Sequence, residues 1–353
     1  MQKVVVYTIY GSNYGAILQA YALQRYIKDK YSVEVYMCNP NGTPKIDILS
    51  KKYTPNKIKN LIIKFVALLR YKALLTAHKR KEQFKKREFK ECTHEETMNC
   101  KIHITGSDQV FNPDMENNHI FFQDIPKNGF IKVAYAPSFG IKEFSDEFKK
   151  RVTPLLKDFD YLSCREESGT KFLKEEITYA AQHVCDPTLL LTSDEWNQVA
   201  ITPKEKEYIF VYDLNGDQPL IDIALKLKEH YKLPIICQTQ KPQRFYKGVD
   251  NQVYSSGPQE FVGFFKNAKF VVTDSFHGMM FSLIFRKQFY IYIAVEGTSS
   301  RIREVLDKLN LTNRIIKSAN SFTIVSNEET DYGILEKFIS DSKLFIHEFM
   351  EKL

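Results

Sequence analysis

Phe270-Val271-Val272-Thr273-Asp274-Ser275-Phe276-His277-Gly278-Met279-Met280-Phe281-Ser282-Leu283-Ile284-Phe285 reads as a buried strand, a polar switch and a buried helix in succession. Phe270, Val271 and Val272 are aromatic or β-branched and too few for a helix. From Met279 onward the apolar residues crowd together as they do on a helix buried on several sides. Between them stand Thr273, Asp274, Ser275 and His277, which can donate, accept and titrate. In an open α/β sheet, ligands dock where the carboxyl end of a strand meets the amino end of the next helix. The unpaired N–H groups and the helix dipole there favour an anion. A histidine at such a junction can bind that anion or give up a proton. A plainer reading also fits: Thr273, Asp274 or Ser275 caps the helix and His277 is a satisfied, half-buried side chain.

Outward from this stretch the same alternation repeats. Downstream of a polar linker ending near Pro203, strands are predicted at 207–214, 234–237 and 289–293, with helices at 220–231 and 258–265. Glu296-Gly297-Thr298-Ser299-Ser300-Arg301-Ile302-Arg303 then opens a further helix. The dipole disfavours cations in a first turn, so Ser299 and Arg301 are candidates to face an anionic ligand. Upstream, residues 3–9 read as a first strand, and Gly11-Ser12-Asn13-Tyr14-Gly15 opens a helix with apolar residues at three- and four-residue spacing. Asn13 and Gly15 would bring backbone N–H groups close to a phosphate or carboxylate, although plain turn geometry explains the glycines too. The run is not G-x-G-x-x-G, so the dinucleotide fingerprint is absent. Strands at 33–38, 102–105, 131–136 and 161–164 follow. The third of these four ends in Pro137-Ser138-Phe139-Gly140. The second delivers Gly106-Ser107-Asp108-Gln109 to the ligand-facing rim, where an Asx turn would account equally for Ser107 and Asp108. The last delivers Arg165, whose planar fork could grip a carboxylate or phosphate, or pair with Glu166 or another acid.

Two α/β series imply two Rossmann-like doubly wound domains facing a cleft. The expected boundaries are 1–195 for the first domain, with a basic helical insertion at about 51–95, and 196–330 for the second. A closing helix is expected over 331–353. The length of 353 residues and the 43% apolar content suit two soluble domains. No apolar run is long enough to cross a bilayer, and the N-terminal run lacks a cleavage pattern, so a cytoplasmic protein is expected. The six cysteines are scattered with no C-x-x-C pair, which predicts neither a zinc site nor a disulfide framework.

Net charge is +7, but fourteen lysines and arginines fall between Lys51 and Lys90 against only Glu82 and Glu88. That excess is larger than the charge of the whole chain, so the remainder is net acidic. Ile58, Leu61, Ile62, Phe65, Leu68 and Leu69 form an apolar stripe within the basic stretch. Such a segment can lie peripherally on an anionic membrane surface, or form a helical hairpin packed on its domain with lysines in water. No nucleic-acid-binding module accompanies the charge, so nucleic acid is not an expected partner.

Four runs taken in order carry a family resemblance: Asn13-Tyr14-Gly15-Ala16-Ile17-Leu18-Gln19-Ala20-Tyr21-Ala22-Leu23, Gly106-Ser107-Asp108-Gln109-Val110-Phe111-Asn112-Pro113, Cys185-Asp186-Pro187-Thr188 and Asp274-Ser275-Phe276-His277-Gly278. Together they resemble the polysaccharide pyruvyl transferase family. The resemblance implies a GT-B-like pair of Rossmann domains. It also implies transfer of the pyruvyl group of phosphoenolpyruvate onto hydroxyls of a sugar in a surface-polysaccharide or lipid-linked oligosaccharide precursor, as a ketal. Some members carry Arg-Leu-His where this chain has Ser275-Phe276-His277; the histidine is kept and the arginine is not. Arg165 resembles the family's other donor-binding arginine, and Arg301 is our candidate to supply what Ser275 cannot.

The expected roles follow. His277 is the general acid or phosphate partner and Asp108 the base for the acceptor hydroxyl. Asn13, Gly15, Gly106, Ser107, Gln109, Arg165, Ser275, Gly278, Ser299 and Arg301 bind substrate. Neither a cofactor nor a metal is expected beyond phosphoenolpyruvate as donor substrate. A glycosyltransferase using a nucleotide-sugar donor and a non-catalytic glycan-binding relative are the rival readings.

Overall fold

The computed structural model describes residues 2–42, 56–115, 118–241, 244–294, 300–324 and 330–353. The chain forms two compact units. Residues 1–43, 85–191 and 331–353 make the first, and residues 44–84 and 192–330 make the second.

In the first unit the described residues form β1 (Lys3–Tyr7), β2 (Glu34–Cys38), β3 (Lys90–Glu91), β4 (Ile102–Thr105), β5 (Ile131–Ala134), β6 (Tyr161–Cys164) and β7 (Gln182–His183). They pair in the order β3-β2-β1-β4-β5-β6-β7, all parallel. The interior strand β1, third in that order, places Val5 opposite Tyr36 on one side and His103 on the other. Helices cover both faces of a parallel sheet, so its central strands read as unbroken apolar runs, and Val4, Val5 and Val6 are fully buried. The Tyr14–Tyr31 helix follows β1 because the side chain of Asn13 caps it, accepting from the Gly15 N–H at 2.8 Å. An aromatic core lies beneath: Phe111 stacks on Phe122 at 4.4 Å between ring centroids and tilts against Phe139 at 5.4 Å. The Gly333–Met350 helix completes this unit. Its Ser342 Oγ accepts from the Cys185 N–H at 2.8 Å, and its Phe349 ring lies 5.9 Å from that of Tyr161.

The second unit holds β8 (Tyr208–Asp213), β9 (Ile235–Thr239), β10 (Asn251–Val253), β11 (Ala268–Thr273), β12 (Gln288–Tyr292) and β13 (Ile315–Ile316). Their order is β10-β9-β8-β11-β12-β13, again all parallel. Phe281, on the helix after β11, meets Trp196 edge-on at 5.0 Å and Phe261 edge-on at 5.7 Å. Both sheets are therefore doubly wound α/β sheets, as the alternation predicts.

Of the basic insertion expected at about 51–95 in the first domain, the part up to residue 84 groups with the second unit instead, and the part from 85 onward stays with the first. The reason is visible in two arginines. Arg70 Nη1 donates to the Arg244 carbonyl at 2.7 Å, and its guanidinium sits 4.2 Å from the centre of the Tyr254 ring. Arg80 pairs with Glu260 at 3.0 Å and donates to the Ser255 carbonyl at 3.0 Å. The chain leaves the first unit after β2, and these partners, some 175 residues downstream, draw it to the other one. Four short edge strands, β3, β7, β10 and β13, also escape the sequence reading.

Candidate active site

In the second unit the polar switch folds as a tight strand-to-helix junction. Thr273 Oγ1, at the end of β11, donates to the Tyr212 carbonyl at 2.7 Å and accepts from the Ser275 N–H at 3.1 Å. Ser275 is the N-cap of the Phe276–Ile284 helix, its Oγ accepting from the Gly278 N–H at 3.3 Å. Gly278 is required by close approach: a Cβ there would stand 2.5 Å from Thr273 Oγ1 and 2.8 Å from Thr273 Cγ2. The helix thus begins pressed against the strand that precedes it, and His277 occupies the second helical position, 9% exposed.

His277 stands edge-on to Phe276 at 5.3 Å, and the guanidinium carbon of Arg301 lies 5.8 Å from the centre of the same Phe276 ring. Arg301 is the second residue of the Ser300–Lys308 helix and is half-buried. His277 and Arg301 thus both lie within 6 Å of the centre of one aromatic ring, each in the first turn of its helix. Ser299 lies outside the described residues.

Asp274, beside the cap, does a different job. Its two carboxylate oxygens accept from the Leu214 N–H at 2.9 Å and the Asn215 N–H at 2.8 Å, tying the loop after β8 to the start of the His277 helix. Asp213, at the end of β8, accepts from Thr239 Oγ1 at 2.7 Å and Tyr246 OH at 2.6 Å. Burial raises the Asp274 carboxyl to about 7; its two N–H bonds oppose that shift and the charge of Asp213 adds to it. An unfolded aspartate loses its proton near the ordinary value of 3.8. The folded chain therefore binds the extra proton between these two values. The stability it contributes is full below about pH 4 and is lost as pH rises through about 7. Asp274→Asn is expected to remove this segment of the stability–pH curve, whose slope for one site is at most about 1.4 kcal/mol per pH unit. Urea unfolding across that range checks it; an unchanged slope in the variant assigns the titration elsewhere.

In the first unit the predicted rim residues also converge, but as an interior network. Gly106 packs against β1, where a Cβ would meet Thr8 Cβ at 3.0 Å. Ser107 is fully buried; its carbonyl accepts from Thr8 Oγ1 at 2.7 Å and its Oγ from Arg165 Nη1 at 3.3 Å. Arg165, its side chain 2% exposed, pairs with Asp186 at 3.0 Å and Glu166 at 3.6 Å. Burial alone would lower its pKa, yet the charges of Glu166, Asp186 and Asp108 outweigh that and hold it above the usual arginine value. Of the two readings that the spacing left open, the ion pair is thus the one formed in this structure. Asp186 further accepts from the Thr188 N–H at 3.0 Å and Thr188 Oγ1 at 2.7 Å, and Ser138 hydrogen-bonds Glu166.

Asp108 is half-buried with φ of +77°, in the left-handed region that aspartate tolerates better than most side chains. Its carbonyl accepts from Val110 and Ser138 N–H groups, each at 2.8 Å, and its Oδ1 from the Gln109 N–H at 2.8 Å. Asn13 is exposed as the cap of its helix, with Gly15 buried in the first turn. Asp186 as the partner of Arg165, and Asp274 as the clamp on the loop after β8, are the roles that sequence reasoning missed. Asp186 stood inside a recognised run; nothing in its spacing pointed to Arg165.

The chain is similar over 98% of its length to a solved UDP-GlcNAc 2-epimerase from Methanocaldococcus jannaschii in complex with UDP-GlcNAc and UDP. That chain is covered in full (100%), with a TM-score of 0.50 and 11% identity. It is also similar to UDP-GlcNAc 2-epimerase from Neisseria meningitidis bound to UDP-GlcNAc, covering 99% of this chain and 100% of that one, with a TM-score of 0.49 and 9% identity. At such identity the former likeness shows the fold, that of two Rossmann-like units in one chain. Among curated proteins, none matches this chain in sequence. The family model for polysaccharide pyruvyl transferase matches residues 13–296, and the chain belongs to that family. It is accordingly a transferase of polysaccharide biosynthesis with a glycan acceptor. The matched stretch includes Arg165 and His277 and stops before Arg301.

Proposed function

We propose that this transferase moves the pyruvyl group of phosphoenolpyruvate onto two hydroxyls of its glycan acceptor, forming a pyruvate ketal. The observation that carries this reading is that His277 and Arg301, each in the first turn of its helix, both approach the Phe276 ring, at 5.3 and 5.8 Å from its centre. Phosphoenolpyruvate bears a phosphate and a carboxylate, so it needs cationic or helix-terminal clamps at both ends. Arg301 and the first-turn N–H groups around His277 supply such groups.

In the proposed reaction a protonated His277 delivers its proton to the methylene carbon while an acceptor hydroxyl attacks the adjacent carbon. The proton of that hydroxyl passes to a base or water beside it. Phosphate then leaves with the C–O bonding pair, and a second hydroxyl closes the ketal, losing its proton to the His277 imidazole that gave one up in the first step. The developing cationic and anionic centres are what fixed charges in a partly dry site stabilise best. Ser275, which stands where some members have arginine, caps the helix, and Arg301 takes over the clamping charge.

The test is phosphate release from phosphoenolpyruvate in the presence of candidate glycans. Release that depends on both, with pyruvate found on the glycan, supports the reading. Sugar transfer from a nucleotide donor with phosphoenolpyruvate inert overturns it. Arg301→Ala is expected to raise the KM for phosphoenolpyruvate about tenfold, the value of one charge-assisted hydrogen bond at a half-exposed site, with a smaller effect on kcat. An unchanged KM would remove Arg301 from the donor site.

A further inference from the structure

The Lys57–Leu69 helix leaves an apolar face in solvent. Ile58, Leu61, Phe65, Leu68 and Leu69 are each between 52% and 75% exposed. At about 100° per residue they fall in one stripe roughly 100° wide. Ile63 and Val66, on another side of the helix, are half-buried, so the exposed stripe is additional to the face that packs. A contiguous apolar surface of this kind on a soluble chain marks a docking site.

Three observations decide what docks there. Lys57 borders the stripe in solvent, and the following Tyr71–Glu88 helix adds exposed Lys72 and Lys79 within the same unit. Within the second unit's share of this stretch, residues 51–84, ten cations stand against one acid. A second copy of the chain seated on this face would set like charge against like, whereas an anionic surface gains from each cation. At 13 residues the helix is about 20 Å long, short of the roughly 30 Å needed to cross a bilayer, and no described helix is long and apolar enough to do so. Its end is also fixed to the second unit by the Arg70 contacts with Arg244 and Tyr254.

We infer that the Lys57–Leu69 helix lies in the plane of an anionic lipid bilayer, with Leu61, Phe65 and their neighbours inserted and the flanking lysines among the lipid phosphates. The helix then anchors the second unit to a membrane surface. The inference does not depend on the donor chemistry, and its test needs no turnover.

The full chain is sedimented with phosphatidylcholine vesicles with and without phosphatidylserine, at low and high salt, and compared with the double variant Leu61→Glu/Phe65→Glu. Both side chains are exposed, so the fold should survive, and an unchanged thermal midpoint confirms that. The expected result is retention by the anionic vesicles at low salt, reduced by salt and reduced at least about tenfold in the variant. Absence of retention overturns the inference, as does retention that the variant leaves unchanged. A dimer of the parental chain that the variant dissociates, seen by sedimentation velocity, would assign the face to a second copy instead.

Discussion

His277→Ala should lower the rate of phosphate release from phosphoenolpyruvate by about 10²- to 10⁴-fold, the usual contribution of a positioned acid–base group. Its position supports a loss of chemistry more than of fold. The helix that carries it is set by the Ser275 cap, the close packing of Gly278 on Thr273, and the burial of Phe281 against Trp196 and Phe261. None of these uses the imidazole. His277→Gln, which keeps a polar side chain of similar reach, should show the same loss in kcat. The measurement is single-turnover phosphate release beside the thermal midpoint of each variant. A variant that retains near-parental turnover would strip the imidazole of the acid role, and a collapsed midpoint would make the residue structural.

Arg165→Met should destabilise the first unit by about 3–5 kcal/mol, because it leaves Glu166 and Asp186 buried without their counter-charge. The sign with pH is fixed by the same physics. Deprived of the arginine, the two carboxyls have raised pKa values in the folded state, so the deficit shrinks as pH falls and they take up protons. Urea unfolding at neutral and mildly acidic pH reads this out. Should Arg165→Met keep its stability and instead lose affinity for phosphoenolpyruvate, the guanidinium would be a donor clamp rather than an internal tie. The two readings of this residue therefore part on one variant.

The central elements were legible because their physics is local. Val4 to Val6 and Phe270 to Val272 are apolar without alternation, as parallel strands covered on both faces must be, and Ser275 stands where a cap is needed. Strands of two residues such as Lys90–Glu91 or Gln182–His183 have no period to read; only their neighbours make them strands. The choice between ligand and ion pair for Arg165 turned on Asp186, 21 residues away, and no spacing rule connects the two. Asp274 looked like one more capping candidate, because the loop it ties down lies sixty residues earlier. The allegiance of residues 44–84 was hidden for the same reason, since it rests on Arg70 and Arg80 finding partners far along the chain. A cation near His277 was anticipated only as a chemical need; that Arg301 approaches the Phe276 ring beside it emerged with the fold.

The Gly333–Met350 helix lies C-terminal to every residue of the second unit, yet it packs on the first. During synthesis the parts of the second unit are therefore all delivered while Cys185 still lacks Ser342 and Tyr161 still lacks Phe349. This reverses the common order in which the leading half of a nascent protein matures ahead of the trailing half. Ribosomal stalling or proteolytic clipping just after residue 330, before the helix, would release a chain whose later-made half is finished and whose earlier-made half stays open along the β6–β7 side, a target for chaperones.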